Sequence, residues 1–279
     1  MAKEALKMVL PAYAGALEQK ITRETALITG ASSGIGLDLA RLMAPRFDLI
    51  ITARNQADLE RIARELETQH GNHVHVVLAD LAKPEAPVQL FTEIERRGLP
   101  VDILVNNAGF GLYGSFAEND LQQELEMVQV NIAALTALTK LALSGMLKRK
   151  RGRIMNVAST AGFQPGPLMA VYYATKAYVI MFSEAIANEL KGRGITVTCL
   201  CPGATATQFA GRAKMEESRL FKMGAMKSAD VAQAGYTGMM AGKTMVIPGF
   251  INKTLAMSVR FSPRKLVTAI SRSLQERAG

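Results

Sequence analysis

At 279 residues with 49% hydrophobic side chains, the chain is long enough for one large domain with a substantial core and too apolar to be disordered over most of its length. The net charge of +9 includes a run at Lys148, Arg149, Lys150, Arg151 and Arg153; no base-stacking groups are interleaved with it, so a solvated helix-to-strand connection is expected there and no nucleic-acid partner is expected. No run of about 18 residues is both apolar and free of helix breakers, which argues against a membrane span.

In chain order, residues 1–23 carry Lys3, Lys7 and a short apolar patch, but Glu4 and the interrupting Pro11 fit a cleaved leader poorly, so an N-terminal arm or surface helix is expected. An apolar strand-like run at 25–29 is followed by Gly30, Gly34 and Gly36, then by helical spacing over 36–45. A strand, a glycine turn and a helix start are the parts of a phosphate-binding crevice. The backbone must come close to an anion, and the helix offers free N–H groups and a positive dipole end.

Strands and helices then alternate: 48–52 and 56–68, 73–78 and 84–96, 101–105 and a long helical region over 118–148, 153–158 and 172–191, and a strand at 195–200. That order predicts an α/β fold in one domain, a doubly wound parallel sheet with helices on both faces. Right-handed crossovers place all strand C-terminal ends on one edge, where ligands bind. Those ends read TGASSGIG (29–36), TARN (52–55), AD (79–80), NNAG (106–109), NVAS (156–159) and CPGAT (201–205), small and polar throughout. Cys199 and Cys201 share one face of the strand-like ITVTCLC, a poor geometry for a disulfide. Two reduced core thiols in a cytoplasmic protein are expected.

Five separated features resemble the classical short-chain dehydrogenase/reductase family: Thr29-Gly30-x-x-x-Gly34-x-Gly36, Asn106-Asn107-Ala108-Gly109, Asn131, Ser159 and Tyr172-x-x-x-Lys176. A Pro202-Gly203 step is a sixth, and the likeness covers about residues 24–205 in order. It implies a Rossmann-type sheet, a nicotinamide cofactor, and Asn131, Ser159, Tyr172 and Lys176 as the catalytic set. Tyr172 and Lys176, at i and i+4, share a helix face. A nearby ammonium favours the ionised phenol, so Lys176 is expected to bring Tyr172 toward a useful range as proton donor or acceptor. Ser159 is expected to hydrogen-bond the substrate oxygen. The resemblance further implies that Asn131 holds a water linking Lys176 to solvent, and that Lys176 bonds the nicotinamide ribose. The cofactor set then comprises Gly30, Ser32, Ser33, Gly34, Ile35 and Gly36, with Asn107, Ala108 and Gly109, Pro202, Gly203 and Thr205, and Tyr172 and Lys176 themselves. No metal site is expected.

An NAD site places an acid near the end of the second strand. Asp48 stands at that strand's beginning, roughly 15 Å from the ligand edge at 3.3 Å per residue. The end reads Thr52-Ala53-Arg54, where an arginine can neutralise a 2′-phosphate and stack on adenine. Ser33 can add a hydrogen bond. The cofactor is therefore expected to be NADP(H), with Asp80 resembling the family's adenine contact and Leu81 beside it.

Residues 204–227 form the expected substrate lid, with Phe209, Met215, Leu220, Phe221, Met223 and Met226, and Phe163, Leu168 and Met169 are expected on the facing wall. Met and Phe suit an adaptable apolar pocket. A hydrophobic ketone, aldehyde or oxoacyl thioester is the expected substrate; the alternative is a catalytically idle NADP-binding regulatory or scaffold protein. Lys243–Ile247 reads as the last strand, and Pro248-Gly249-Phe250 stands where the family often has Asp-Gly-Gly. Residues 251–279 form a basic amphipathic tail of one or two helices, broken near Pro263. The tail is expected to pack on protein, over the cleft or against another subunit of a dimer or tetramer, with an anionic membrane surface as the alternative.

Overall fold

The computed structural model describes residues 23–213, 219 and 224–276. Residues 1–22 of the expected N-terminal arm, the lid residues Met215, Leu220, Phe221 and Met223, and Arg277 lie outside them.

The strands are β1 (Thr25–Thr29), β2 (Asp48–Thr52), β3 (Val74–Val76), β4 (Ile103–Asn106), β5 (Gly152–Val157), β6 (Ile195–Leu200), β7 (Thr205–Ala206), β8 (Met226–Lys227) and β9 (Met245–Val246). Seven of them form one parallel sheet in the order β3-β2-β1-β4-β5-β6-β9, while β7 and β8 pair separately. Every residue of β1 and β4 is buried, as expected of inner parallel strands covered on both faces. The chain runs outward from β1 through β2 to β3, then returns to lay β4 on the other side of β1. The crevice between β1 and β4 is thus the switch point at which such sheets bind ligands.

The helices are α1 (Gly34–Met43), α2 (Gln56–His70), α3 (Ala86–Arg96), α4 (Leu121–Val128), α5 (Leu135–Arg149), α6 (Ala170–Glu189), α7 (Gln208–Arg212), α8 (Ser228–Met240), α9 (Phe250–Ser258) and α10 (Arg264–Gln275). Alternation along each strand sends neighbouring residues to opposite layers. Ile28 and Ile51 pack with Leu39, Leu59 and Val231 on one face, whereas Leu27 and Ile50 pack with Leu90, Ile94 and Leu138 on the other.

Helix α8 has no counterpart in the sequence reading. Its buried side is Val231, Ala232, Gly235, Gly238 and Met239, correctly spaced for a helix but built largely of small residues. A Cβ at Gly235 would come 2.7 Å from Leu200 Cδ2, so the small side chains allow α8 to lie close on β6. A second difference concerns length. Leu121–Arg149 is one helical run, with a π-helical segment at Gln129–Ala134, and is long and apolar enough to cross a membrane by length and composition, contrary to the expectation of no such run. Leu135, Leu138, Ala142 and Met146 bury its inner side.

The basic run after α5 is partly satisfied internally. Buried Asp102 accepts from Thr25 N at 3.1 Å and pairs with Arg149 Nε at 3.2 Å and Arg151 Nη2 at 3.7 Å. Arg153 pairs with Glu24 at 3.3 Å. Those cations hold a helix-to-strand connection. Cys199 and Cys201 are buried free thiols with sulfurs 3.6 Å apart.

Candidate active site

The chain crosses from β1 to α1 through Gly30 (φ +66°) and Gly34 (φ +56°), two left-handed positions that favour glycine. Ser33 is extended and makes no side-chain cap bond, which leaves its hydroxyl facing the cavity with the first N–H groups of α1 behind it. Gly36 serves a different purpose from the other two. A Cβ there would run into the Gly30 carbonyl and Asn107 Nδ2, and Gly36 does not line the cavity. It lets α1 start hard against the loop; Gly30 and Gly34 border the ligand space.

The turn is locked to β4 across the switch point. Thr29 Oγ1 donates to Val105 O at 3.3 Å and accepts from Asn107 N at 3.0 Å and Ala108 N at 2.9 Å. Asn107 Nδ2 donates to Thr29 O at 2.9 Å and Gly30 O at 3.2 Å. The neighbouring Asn106 turns inward, donating to Thr139 Oγ1 and Asn156 Oδ1, each at 2.9 Å. The two asparagines therefore divide the work: Asn107 ties the phosphate turn to β4, and Asn106 ties β4 to β5 and α5.

One cavity of about 1400 Å³ runs along the strand ends. Gly30, Ser32, Ser33, Gly34 and Ile35 line it from the first turn, and exposed Arg54 from the end of β2. Asp80 and Leu81 line it after β3, Asn107, Ala108 and Gly109 after β4, and Pro202, Gly203 and Thr205 after β6. Asp80 Oδ1 also accepts from Ala82 N at 3.3 Å, fixing its loop. Asp48 lies at the far end of β2, where its Oδ1 accepts from His73 N at 2.9 Å, so its carboxylate belongs to the strand entry.

Midway along the cavity stand Ser159, Tyr172 and Lys176. Ser159 ends the β5 loop; its Oγ accepts from Ala161 N at 3.1 Å and donates to Pro202 O at 3.3 Å. Tyr172 and Lys176, from the first turns of α6, are 8% and 6% exposed, and the Lys176 ammonium lies 5.7 Å from the Tyr172 ring centre. Lys176 Nζ donates to Val157 O at 2.9 Å. Burial lowers the Lys176 ammonium to about 8, against an opposing effect of Cys199 and Cys201. Burial also raises the Tyr172 phenol well above its ordinary value, and its hydrogen bond with Ser159 opposes this only in part. The expected lowering of Tyr172 is thus reversed, because the apolar site that brings the ammonium close also penalises the phenolate.

Asn131 lies within the π-helical segment, an irregularity common at functional sites. Its Oδ1 accepts from Phe110 N at 3.1 Å, and its Nδ2 donates to Phe110 O at 2.9 Å and Thr175 Oγ1 at 3.0 Å. The amide therefore clamps the loop after β4 onto α6 from behind the cavity.

At the substrate end the Tyr172 ring meets Phe209 at 5.3 Å between centres, and buried Met169 lies beside them. Gly111 makes room: a Cβ there would sit 2.9 Å from Phe209 Cζ and 3.0 Å from Met169 Cε. Of the expected wall residues, Met169 and Phe209 line the cavity, whereas Phe163 and Leu168 do not. Phe163 packs with the Val179–Ile180 cluster, and Leu168 takes a left-handed turn (φ +69°) whose carbonyl accepts from Gly114 N at 2.9 Å.

The tail lies over the cleft, one of the placements expected of it, though no local pattern marked which of its residues form the wall. Ser271, Leu274 and Gln275 of α10 line the cavity, and Gln275 Nε2 donates to Tyr173 OH, 102 residues away in sequence. Gln123, Glu126 and Val130, from α4 and the π segment, complete this end. The periodicity of both helices marks an inward face; only the folded chain shows what that face meets.

The short chain dehydrogenase family model matches residues 24–218. A very-long-chain 3-oxoacyl-CoA reductase of Anas platyrhynchos is 34% identical over 194 residues, covering 66% of this chain and 61% of the duck protein. The chain therefore aligns with less than two thirds of that relative's length. A putative ketoacyl reductase of Streptomyces coelicolor is 36% identical over 211 residues, covering 74% of this chain and 80% of its own. Among solved structures, a short-chain dehydrogenase from Sphingobium yanoikuyae in complex with NADPH superposes with a TM-score of 0.77 at 30% identity, covering 85% of this chain and 93% of that one.

Proposed function

Because this chain belongs to the short-chain dehydrogenase/reductase family, we propose that it is an NADP(H)-dependent oxidoreductase that interconverts a hydrophobic ketone, aldehyde or oxoacyl thioester with its alcohol. The observation that carries this reading is the buried Ser159–Tyr172–Lys176 group opening on the same cavity as the phosphate turn. The cofactor fits what the chain presents. Left-handed Gly30 and Gly34 admit a close phosphate, and the exposed Arg54 guanidinium, with no ion pair among the described residues, stands where a 2′-phosphate needs a cation. The NADPH complex of the Sphingobium relative supports that choice.

When bound, the reduced nicotinamide supplies the hydride that reaches the carbonyl carbon. The chain's own part is the proton and its placement. Tyr172 stays protonated at neutral pH, because burial holds its phenol high, and donates to the carbonyl oxygen. Ser159 Oγ turns its one proton from Pro202 O to the same oxygen and hydrogen-bonds it as charge develops. The Lys176 ammonium stabilises the tyrosinate left behind and bonds the nicotinamide ribose. Asn131 acts as a positioning residue, its side-chain amide holding the turn after β4 at Phe110 against Thr175, the neighbour of Lys176 on α6, by three hydrogen bonds. Met169 and Phe209 favour an apolar acyl or aryl group at the carbonyl, in keeping with the oxoacyl and ketoacyl names of the relatives. A cytoplasmic compartment is in keeping with a chain whose two cysteines are buried and poorly placed for a disulfide. Tyr178 and Met181, exposed on α6, suit the contact of a homo-oligomer.

The test is NADPH consumption with 3-oxoacyl thioesters and hydrophobic ketones, comparing wild type with Tyr172→Phe. Turnover that falls at least about 100-fold in the variant, with NADPH binding retained, is expected. Full turnover in the variant overturns the mechanism. NADPH binding without turnover on any carbonyl points to the idle, regulatory reading instead.

A further inference from the structure

Helices α9 and α10 turn part of their apolar surface away from the protein. Phe250, Ile251 and Leu255 are 84%, 73% and 60% exposed, Phe261 between the helices is 88% exposed, and Leu266 and Ile270 are each more than half exposed. At about 100° per residue, Phe250, Ile251 and Leu255 lie opposite Ala256, the single buried residue of α9. In α10, Leu266 and Ile270 form an outer stripe at i and i+4 beside the buried Val267 and Ser271. Such a patch marks an interaction surface rather than scattered exposed side chains.

The charge around it says what covers it. Residues 250–275 contain Lys253, Arg260, Arg264, Lys265 and Arg272 and no Asp or Glu. All five cations are exposed, and only Arg272 has an ion-pair partner among the described residues, Glu276. A second copy docking through a two-fold axis would set this basic patch against its own duplicate, which like-charge repulsion opposes. An anionic lipid surface accepts both features, apolar side chains entering the acyl boundary and cations meeting headgroups.

We propose that the α9–α10 segment docks this protein on an anionic membrane surface. The inner sides of the same helices reach the catalytic cavity. Helix α9 packs on the turn Thr160–Phe163 that follows Ser159, Asn252 fills the space beside Gly203, and α10 lines the cavity with Ser271, Leu274 and Gln275. Docking therefore sets the substrate end of the cavity beside the bilayer, where lipophilic carbonyl compounds partition.

The test is flotation of the full chain with vesicles of phosphatidylcholine alone or mixed with phosphatidylglycerol, with light scattering of the free protein. Retention on the anionic vesicles, weak retention on the zwitterionic ones and loss of retention by high salt are expected. Phe250→Asp with Phe261→Asp, at side chains that touch almost nothing, abolishes retention without changing the melting temperature. Lys253→Gln and Arg264→Gln each weaken it about fivefold, the effect of one basic residue near such a surface. No retention of wild type on anionic vesicles overturns the proposal, as does equal retention of the Asp double variant. A dimer that dissociates in that variant, with no vesicle retention, assigns the face to a second copy and also overturns it. None of these readouts depends on turnover.

Discussion

Thr29→Val tests the lock between the phosphate turn and β4. The side chain is 1% exposed, and valine matches it in shape while replacing the hydroxyl by a methyl group. Asn107 N keeps a second acceptor in Val105 O at 3.1 Å, but Thr29 Oγ1 is the acceptor that holds Ala108 N. One backbone donor left without its partner costs about 1–3 kcal/mol, and the lost 3.3 Å bond to Val105 O is weak, so about 2 kcal/mol is expected. For a chain of this size that lowers the melting temperature by roughly 4–8 °C. Thr29→Ser is the control: it loses a buried methyl, about 1 kcal/mol, but keeps the acceptor. Thermal unfolding and NADPH fluorescence titration separate the two, since only the valine variant releases Ala108 and loosens the turn. NADPH affinity is expected to fall about fivefold in Thr29→Val, a loss of roughly 1 kcal/mol, and to hold in Thr29→Ser. A valine variant within about 0.5 kcal/mol of wild type, with unchanged NADPH affinity, refutes the idea that this hydroxyl couples the two strand ends.

The pH dependence follows from the lysine. Reduction uses charged Lys176, and an ammonium lowered by burial to about 8 loses that charge as pH rises through this value, so kcat is expected to fall above it. Lys176→Arg, which stays charged, is expected to remove this alkaline limb even if it lowers the maximum rate; a wild-type profile flat to about pH 10, well past the limb, contradicts the assignment. Arg54→Ala is expected to weaken NADPH binding roughly tenfold while weakening NADH binding much less, since NADH shares the adenine but lacks the 2′-phosphate and its charge-assisted contact. Equal affinity of wild type for the two cofactors defeats that reading.

Local chemistry was enough to read much of this protein from its sequence. The run 25–29, the turn glycines and the alternation of strand and helix are short-range patterns, so the doubly wound sheet follows from them. Tyr172 and Lys176 share a helix face by spacing alone. Helix α8 escaped because Ala232, Gly235 and Gly238 make the middle of its buried side, and small residues leave little hydrophobic periodicity.

Other features depend on chain segments meeting across long separations. Gly36 admits no Cβ because the Gly30 carbonyl of its own turn and the Asn107 amide close over it, and the Asn107 contact exists only once β4 has returned beside β1. Gln275 reaches Tyr173 only after the tail has folded over the cavity. The upward shift of the Tyr172 phenol is decided in the same way: sequence spacing supplies the ammonium, but the depth of burial sets which protonation state prevails. Spacing along a chain fixes which side chains share an element, and tertiary packing fixes how much water they keep.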